Sequence, residues 1–205
     1  MARLLLTWQH GTLSWLYKPI NIQGGSQLAL KSTVFKAELQ VSNMDEQHYD
    51  TYSLTLARHP SETSQRMMLR LAVFALNANQ QLSFTKGIST EDEPDLWLKS
   101  LSDEIELWIE LGQPDEKRLR RACGRSKRVL VYPYAERSAS IWWEQMRETV
   151  SRFSNLSVIN LTLEDMAQLD DLAERNMQLH STIQEGQLWL GNDQTTLLID
   201  LQQWQ

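Results

Sequence analysis

Acidic side chains at the end of one extended segment are the residues best suited to metal chemistry. Ile105–Leu111 alternates between two faces, which predicts a strand with Glu106 and Glu110 on its outward face. Two acids four residues apart on a strand are separated by about 13 Å, so they cannot hold one ion together. Glu110 ends the strand beside a turn, where Asp95 could approach from a neighbouring element. Asp95 and Glu110 would then supply two hard oxygen ligands for Mg²⁺ or Mn²⁺.

A divalent cation at this pair of acids would serve phosphoryl chemistry. It would lower the pKa of a bound water and neutralise the charge that develops on a phosphate during attack. The alternative is that acids at a strand edge keep the protein soluble and prevent edge-to-edge pairing. The spacing alone leaves both interpretations open.

A strongly basic segment follows these acids. Residues 115–128 contain seven Lys or Arg against two acids, although the whole chain has a net charge of −6. On a helix Arg118, Arg121 and Arg125 share one face, while the opposite face, which carries Cys123, is buried. A cationic ridge beside an acidic cluster favours binding of a phosphodiester backbone, so these arginines predict a nucleic-acid contact. The alternative is a solvated helix face without a ligand.

Alternating strands and helices must position these residues. Val34–Val41 and Tyr49–Leu56 predict a hairpin, and Ser61 is the predicted N-cap of a long buried helix that includes Met67–Leu76. The later predicted elements are strands at Leu82–Thr85, Ile105–Leu111, Val129–Tyr132 and Leu156–Leu161, helices at Asp115–Ser126, Ser138–Val150 and Thr162–Ala173, and short strands between Gln178 and Leu201. This order predicts a mixed α/β (α+β) domain, a mixed β-sheet flanked by helices.

Composition excludes several classes of protein. The chain is 41% hydrophobic and 22% charged, as is usual for a globular protein, and no run approaches the ~20 apolar residues that span a bilayer. The single cysteine, Cys123, cannot form an internal disulfide, which indicates a reducing, cytoplasmic setting. The acidic total argues against coating nucleic acid by bulk charge but permits a local basic patch. We expect a monomer without membrane attachment.

The first 27 residues differ from the rest of the chain in charge. They contain no Asp or Glu and only Arg3 and Lys18 as cations, and glycines end the segment. We interpret residues 1–27 as a non-native or disordered leader and residues 28–205 as a single domain. The alternative is an amphipathic segment that docks on the domain through Trp8 and neighbouring aromatic residues.

Several long motifs closely resemble those of the YaeQ family of small bacterial proteins. The stretches that carry this resemblance are Leu54–Thr63, Arg66–Leu71, Glu93–Trp97, Leu107–Glu116 and Ile141–Trp143. The resemblance extends over roughly Leu28–Gln205. Family members typically begin close to Ala29–Lys31, which favours a leader over residues 1–27.

This resemblance implies a variant of the PD-(D/E)XK nuclease core, with N-terminal and C-terminal β-hairpin additions. Carried over by motif, Pro94-Asp95 corresponds to the "PD" pair, Glu110 to the second acid, and Glu62 to the acid at the start of the first core helix. The implied activity is that of a metal-dependent nuclease.

The chain departs from the nuclease pattern after the second acid. Gly112 stands where the pattern has lysine. Gln113 would orient the attacking water, as in variants of that superfamily whose catalytic residue has migrated, or Lys117 would reach in from the helix.

Three functions are therefore open. The first is a Mg²⁺-dependent nuclease or related phosphodiesterase. The second is a non-catalytic nucleic-acid-binding or regulatory module on the same scaffold. The third is a protein-interaction module that uses exposed tryptophans such as Trp143.

Overall fold

The computed structural model describes residues 32–86 and 92–205. The predicted leader, residues 1–27, lies outside the described residues and stays a prediction. The described strands are β1 (Thr33–Asn43), β2 (His48–Arg58), β3 (Leu82–Phe84), β4 (Leu96–Lys99), β5 (Ile105–Leu111), β6 (Ser126–Tyr132), β7 (Leu156–Thr162), β8 (Asn176–Gln184), β9 (Gln187–Gly191) and β10 (Thr196–Gln203). The described helices are α1 (Ser64–Leu76), α2 (Glu116–Arg125), α3 (Glu136–Val150) and the 3₁₀ helix Met166–Leu172.

The ten described strands form one mixed sheet in the order β2-β1-β8-β9-β10-β7-β6-β5-β4-β3. β1 runs parallel to β8, and β5, β6 and β7 run parallel to one another, while the other neighbours are antiparallel. The predicted mixed sheet is thus confirmed. The predicted hairpins are present as β1–β2 near the start of the described chain and β8–β9–β10 at its end, and the parallel pairing of β1 with β8 over Lys36–Asn43 joins them into half of the continuous sheet.

Two apolar cores lie against this sheet. Side chains of α1 from Met67 to Ala75 are buried, and the apolar ones form a single core with residues of strands from both halves of the sheet. A smaller core joins Trp108 and Val129 to Leu119 of α2 and Trp142 of α3. Because α2 and α3 connect parallel strands, they must cross over one face, and that face becomes their packing surface.

The ends of several elements differ from the sequence prediction. Thr63, not Ser61, caps α1, since its hydroxyl accepts a hydrogen bond from the Arg66 amide at 3.1 Å. Ser61 instead contacts the His59 ring, so Glu62 precedes the helix rather than lying in its first turn. The strand β4 was not predicted at all. The segment expected to form a helix from Thr162 forms only the short 3₁₀ helix.

None of the helices in the described ranges is long and apolar enough to cross a membrane.

Two glycines offer a matched test of this packing. A Cβ at Gly191, in the β9–β10 hairpin, would lie 2.4 Å from the carbonyl oxygen of Thr195, whereas a Cβ at Gly124 in α2 meets no atom within 4 Å. Gly191→Ala should therefore lower the free energy of unfolding by about 1–3 kcal/mol. Gly124→Ala should raise it by about 0.5–1 kcal/mol, because alanine favours helix. Urea denaturation followed by tryptophan fluorescence measures both, and equal effects of the two changes would contradict this packing.

Candidate active site

The carboxyl end of β5 brings Asp95 and Glu110 together. β4 pairs with β5 so that Leu96 lies opposite Ile109, which sets Asp95, the residue before β4, beside the end of β5. The Asp95 amide donates to the carbonyl oxygen of Ile109 at 2.9 Å, and the Leu111 amide donates to Asp95 Oδ2 at 2.8 Å. The approach predicted for Asp95 thus occurs, through a strand that the sequence pattern did not show.

Both acids are buried, which differs from the outward face predicted for Glu110. Asp95 is 2% exposed and Glu110 is 3% exposed. The face that carries Glu110 also carries Trp108, whose Nε1 donates to Glu110 Oε1 at 2.7 Å. Helix α2 covers this face, so alternation in β5 separates two buried surfaces rather than core from solvent. Glu106, on the same strand, stays half-buried and pairs with Lys127.

Arg118 of α2 is the cation that contacts Glu110. Its Nε donates to Glu110 Oε1 at 2.7 Å, and its Nη2 donates to the carbonyl oxygen of Glu93 at 2.8 Å. Asp115 caps α2 by accepting from the Arg118 amide at 2.7 Å, as expected for an acid before a helix. This cap aligns the first turn of α2 so that Arg118 extends towards the end of β5.

Helix α1 supplies the other cations of the site. Arg66 donates through Nη2 to Asp95 Oδ1 at 2.7 Å and through Nη1 to Glu62 Oε1 at 2.9 Å. Arg70 donates to Glu62 Oε2 at 2.9 Å and to the carbonyl oxygen of Ala57 at 3.1 Å. Glu62 therefore does join the site, but it reaches Asp95 through the Arg66 guanidinium.

Burial shifts the protonation equilibria of this network. The pKa of Glu110 is raised to about 7, chiefly by burial and also by the charge of Asp95, against the lowering effect of Arg118. Burial also acts to lower the pKa of Arg66, but Asp95 and Glu62 outweigh burial and raise it above its ordinary value. The pKa of Arg70 is lowered by burial, against the opposing effect of Glu62. Glu110 thus changes charge near neutral pH.

Carboxylate oxygens such as those of Asp95 and Glu110 are the donor type that a small divalent cation takes. Mg²⁺ commonly takes one or two carboxylates and completes its shell with water and substrate oxygens. Asp95 and Glu110 supply that pair, and in the described ranges no larger group of acids, histidines and cysteines is close enough to hold a metal ion. Guanidinium groups of Arg66 and Arg118 contact oxygens of this pair, so a cation has to displace at least one of them.

The predicted cationic ridge is paired within the chain. Arg121 Nη1 donates to Asp92 Oδ1 at 2.8 Å, and Arg125 Nη1 donates to the carbonyl oxygen of Asp92 at 3.3 Å. Arg125 also lies over the Trp108 ring, with its guanidinium carbon 5.6 Å from the ring centre. Together with Arg118, these arginines hold the acidic segment that leads into Asp95. The predicted nucleic-acid contact of this ridge stays a prediction.

The two residues predicted to assist catalysis lie at the edge of the site. Gln113 Nε2 donates to the carbonyl oxygen of Tyr134 at 2.6 Å, which draws its side chain towards the start of α3. Lys117 is exposed on α2, and within the described part of the chain it forms no contact with Glu62, Asp95 or Glu110.

Sequence reasoning missed Arg66, Arg70, Trp108 and Tyr134 as members of the site. The Tyr134 hydroxyl lies beside Arg66: burial raises the pKa of Tyr134 and the hydrogen bond from Arg66 lowers it. One signal was available for Arg70, which interrupts a nearly continuous run of hydrophobic residues in α1. A buried arginine requires an acidic partner, and Glu62 lies two turns before it.

A family model described as "YaeQ protein" matches residues 28–201. The chain belongs to the YaeQ family. "Uncharacterized protein YaeQ" of Salmonella typhi is 46% identical over 178 residues, which cover 87% of this chain and 98% of that protein. "Uncharacterized protein YaeQ" of Escherichia coli (strain K12) is 44% identical over 178 residues, with the same coverage of 87% and 98%.

Solved YaeQ structures share this fold. The crystal structure of the YaeQ protein from Xanthomonas axonopodis pv. citri matches with a TM-score of 0.82 and 41% identity, covering 85% of this chain and 98% of that chain. The YaeQ protein from Pseudomonas syringae matches with a TM-score of 0.78 and 33% identity, covering 85% and 96%. The YaeQ resemblance of the sequence motifs is therefore confirmed.

Glu62→Gln should destabilise the protein, because it leaves buried Arg70 without a counter-ion. We expect a loss of about 3–5 kcal/mol in the free energy of unfolding, measured by urea denaturation. Glu116→Gln, which breaks an exposed pair with Arg120 in α2, is the control and should cost less than about 1 kcal/mol. The double change Glu62→Gln with Arg70→Met should recover part of the loss. Equal small effects of Glu62→Gln and Glu116→Gln would contradict the importance of the buried pair.

The pKa of Glu110 predicts a pH dependence of stability. The pKa is about 7 in the folded state against an ordinary value of 4.5, so the folded protein binds this proton more tightly than the unfolded chain. The associated stability is present below pH 4.5 and is lost as the pH rises through 7. Relative to Glu110→Gln, the free energy of unfolding of the wild type should fall by roughly 3 kcal/mol over this range. A difference between the two proteins that stays constant with pH would contradict the burial of an ionisable Glu110.

Proposed function

We propose that this YaeQ-family chain is a divalent-cation-dependent phosphodiesterase of nuclease type, related to a divergent PD-(D/E)XK core. The observation that supports it is the pair Asp95 and Glu110, two buried acids at the carboxyl end of β5 whose charges interact. Burying two interacting carboxylates is costly, and an acid with a raised pKa, such as Glu110, is typical of functional sites. The carboxyl ends of parallel strands are also where ligands commonly bind in α/β sheets.

Asp95 and Glu110 would hold Mg²⁺ or Mn²⁺, which would acidify a bound water and neutralise charge on the phosphate. The site's own residues have separate tasks. Glu62 holds Arg66, and Arg66 keeps one oxygen of Asp95 fixed while its other oxygen accepts from the Leu111 amide. Glu62 is accordingly a positioning residue in this proposal.

Arg118 would change partners when substrate binds. In the structure it neutralises Glu110, and its side chain is a quarter exposed, so it lies between the buried acid and the surface. A guanidinium released from Glu110 would bind a phosphate oxygen, for which its planar donor set is well suited. The same exchange from Asp92 to phosphate would bring Arg121 and Arg125 onto a nucleic-acid backbone.

Gln113 and Lys117 would complete the site. The amide nitrogen of Gln113 is bound to Tyr134, which leaves its side-chain carbonyl oxygen as an acceptor for the attacking water. Lys117 is exposed next to Arg118 and would meet the phosphate backbone rather than the metal.

A non-catalytic nucleic-acid-binding module is the second candidate. It is favoured by the guanidinium groups that neutralise each acid and by Gly112 at the position of the usual lysine. A protein-interaction role for Trp143 receives less support, because this ring already packs on Trp204, 5.3 Å away between ring centres.

Metal affinity and cleavage test the first candidate directly. Wild-type protein should bind Mn²⁺ in a calorimetric titration, with an affinity that falls below pH 7 as Glu110 becomes protonated. It should also cleave at least one member of a panel of single- and double-stranded DNA and RNA in Mg²⁺ or Mn²⁺. Asp95→Asn and Glu110→Gln should each reduce both properties at least tenfold. Glu106→Gln is the matched control, because it lies on the same strand four residues away and should change both less than twofold.

Two outcomes would contradict the phosphodiesterase proposal. One is cleavage by Glu110→Gln at the wild-type rate. The other is wild-type protein that binds nucleic acid in a salt-sensitive manner, weakened by Arg121→Gln, but neither binds Mn²⁺ nor cleaves any substrate. That second outcome would support the non-catalytic module.

A further inference from the structure

A groove lies beside the first half of β10, far along the chain from the candidate active site. β10 pairs with β9 from Thr196 to Asp200, but with β7 only from Asp200 to Gln203. After Thr162 the chain leaves β7 and turns towards the 3₁₀ helix. The part of β10 before Asp200 therefore has a described strand on one side only, and a groove of about 310 Å³ occupies the other side.

The backbone of β10 presents hydrogen-bonding groups to this groove. The Thr195 carbonyl oxygen accepts from the Asn192 amide at 2.9 Å, and the Leu201 amide donates to the Gly186 carbonyl oxygen at 2.9 Å. These odd-numbered residues thus bond towards β9. Because successive residues of an antiparallel strand bond to opposite sides, Thr196 and Leu198 direct their N–H and C=O groups towards the groove. Within residues 32–86 and 92–205, no strand pairs with this side of Thr196–Ile199, so the groove borders a strand edge with backbone groups available to a ligand.

The side chains of the groove combine an apolar floor with an acidic rim. Leu163 and Leu197 contribute to the floor, and Leu198 is 41% exposed beside it. Glu164, Asp165 and Asp200 form the rim, and the residues that line the groove include neither lysine nor arginine.

Neutral groups are the partners of the rim acids. Asp165 accepts from the Ala167 amide at 2.9 Å, and Asp200 accepts from Gln187 Nε2 at 2.8 Å. Within the described ranges none of the rim acids, including Glu164, forms a salt bridge. The rim therefore keeps its negative charge for a ligand, unlike the acids at the end of β5.

We propose that this groove binds an extended segment of a partner protein in which lysine or arginine alternates with apolar residues. The segment would add to the free edge of Thr196–Ile199 as a short strand, using main-chain hydrogen bonds for affinity. Four residues extend about 13 Å, so the segment needs a core of about four residues. Its cations would lie on the exposed face of β10, beside Leu198 and Asp200 at the acidic rim, and its apolar side chains would lie on the opposite face, beside buried Leu197.

Fluorescence anisotropy with a labelled peptide tests this proposal on the full chain. The probe is a fluorescein-labelled Lys-Val-Lys-Val-Lys-Val peptide, for which we expect saturable binding. The double variant Glu164→Gln with Asp200→Asn should weaken binding at least tenfold. The control is Glu144→Gln with Glu148→Gln, which removes two exposed acids of α3. It changes the net charge by the same amount and should change binding less than twofold. Thermal unfolding of both double variants verifies that they are folded.

A second peptide separates strand addition from simple charge attraction. The same sequence with alternate residues N-methylated keeps its charges but loses main-chain donors, and it should bind at least tenfold more weakly. Equal weakening by the two double variants, or equal binding of the methylated peptide, would overturn the proposal. Binding by Glu110→Gln should equal that of the wild type, so this test is independent of the phosphodiesterase proposal.

Discussion

The buried ion network at the end of β5 is the constraint on which the rest of this structure depends. Its carboxylates belong to Glu62, Asp95 and Glu110, and its guanidinium groups to Arg66, Arg70 and Arg118. An unpaired charge is very costly away from water, so each of these groups requires its partners in place. The members come from α1 and the turn before it, the residue before β4, strand β5 and helix α2, so their pairing joins elements from both faces of the sheet.

Charge balance explains how this network is tolerated in the interior, but it does not explain why ionisable side chains occupy these positions. The acids and guanidinium groups balance in charge, which makes the network tolerable in the interior, yet burial still raises the pKa of Glu110 to about 7. A site made only for stability would do better with apolar side chains of similar volume. In the phosphodiesterase proposal a ligand would take over the role of at least one guanidinium, and Arg118, the most exposed of Arg66, Arg70 and Arg118, would be the group that moves.

Local sequence signals predicted the elements that carry the site. Alternation identified β5, the acid before a basic run identified the start of α2 at Asp115, and the apolar run identified α1 as a buried helix. The local sequence signals failed where contacts with other elements decide the secondary structure or the strand pairing. Ser61 is by type at least as good a cap as Thr63, so residue type does not identify the cap, and the four residues of β4 are too few for a pattern. The partners of β1 and β8 lie far apart in sequence, so their parallel pairing left no local trace.

By itself, the sequence determined the family, the mixed α/β class, and the candidate acids Asp95 and Glu110. Only the tertiary structure decided what those acids contact. It buried Glu110 under α2, set Arg66 and Arg118 on the carboxylates, and turned the basic ridge towards Asp92. Charge type and helical spacing are local properties and can be read along the chain. The pairing of charges depends on which elements the sheet register brings within about 3 Å, and that register is set by the whole core.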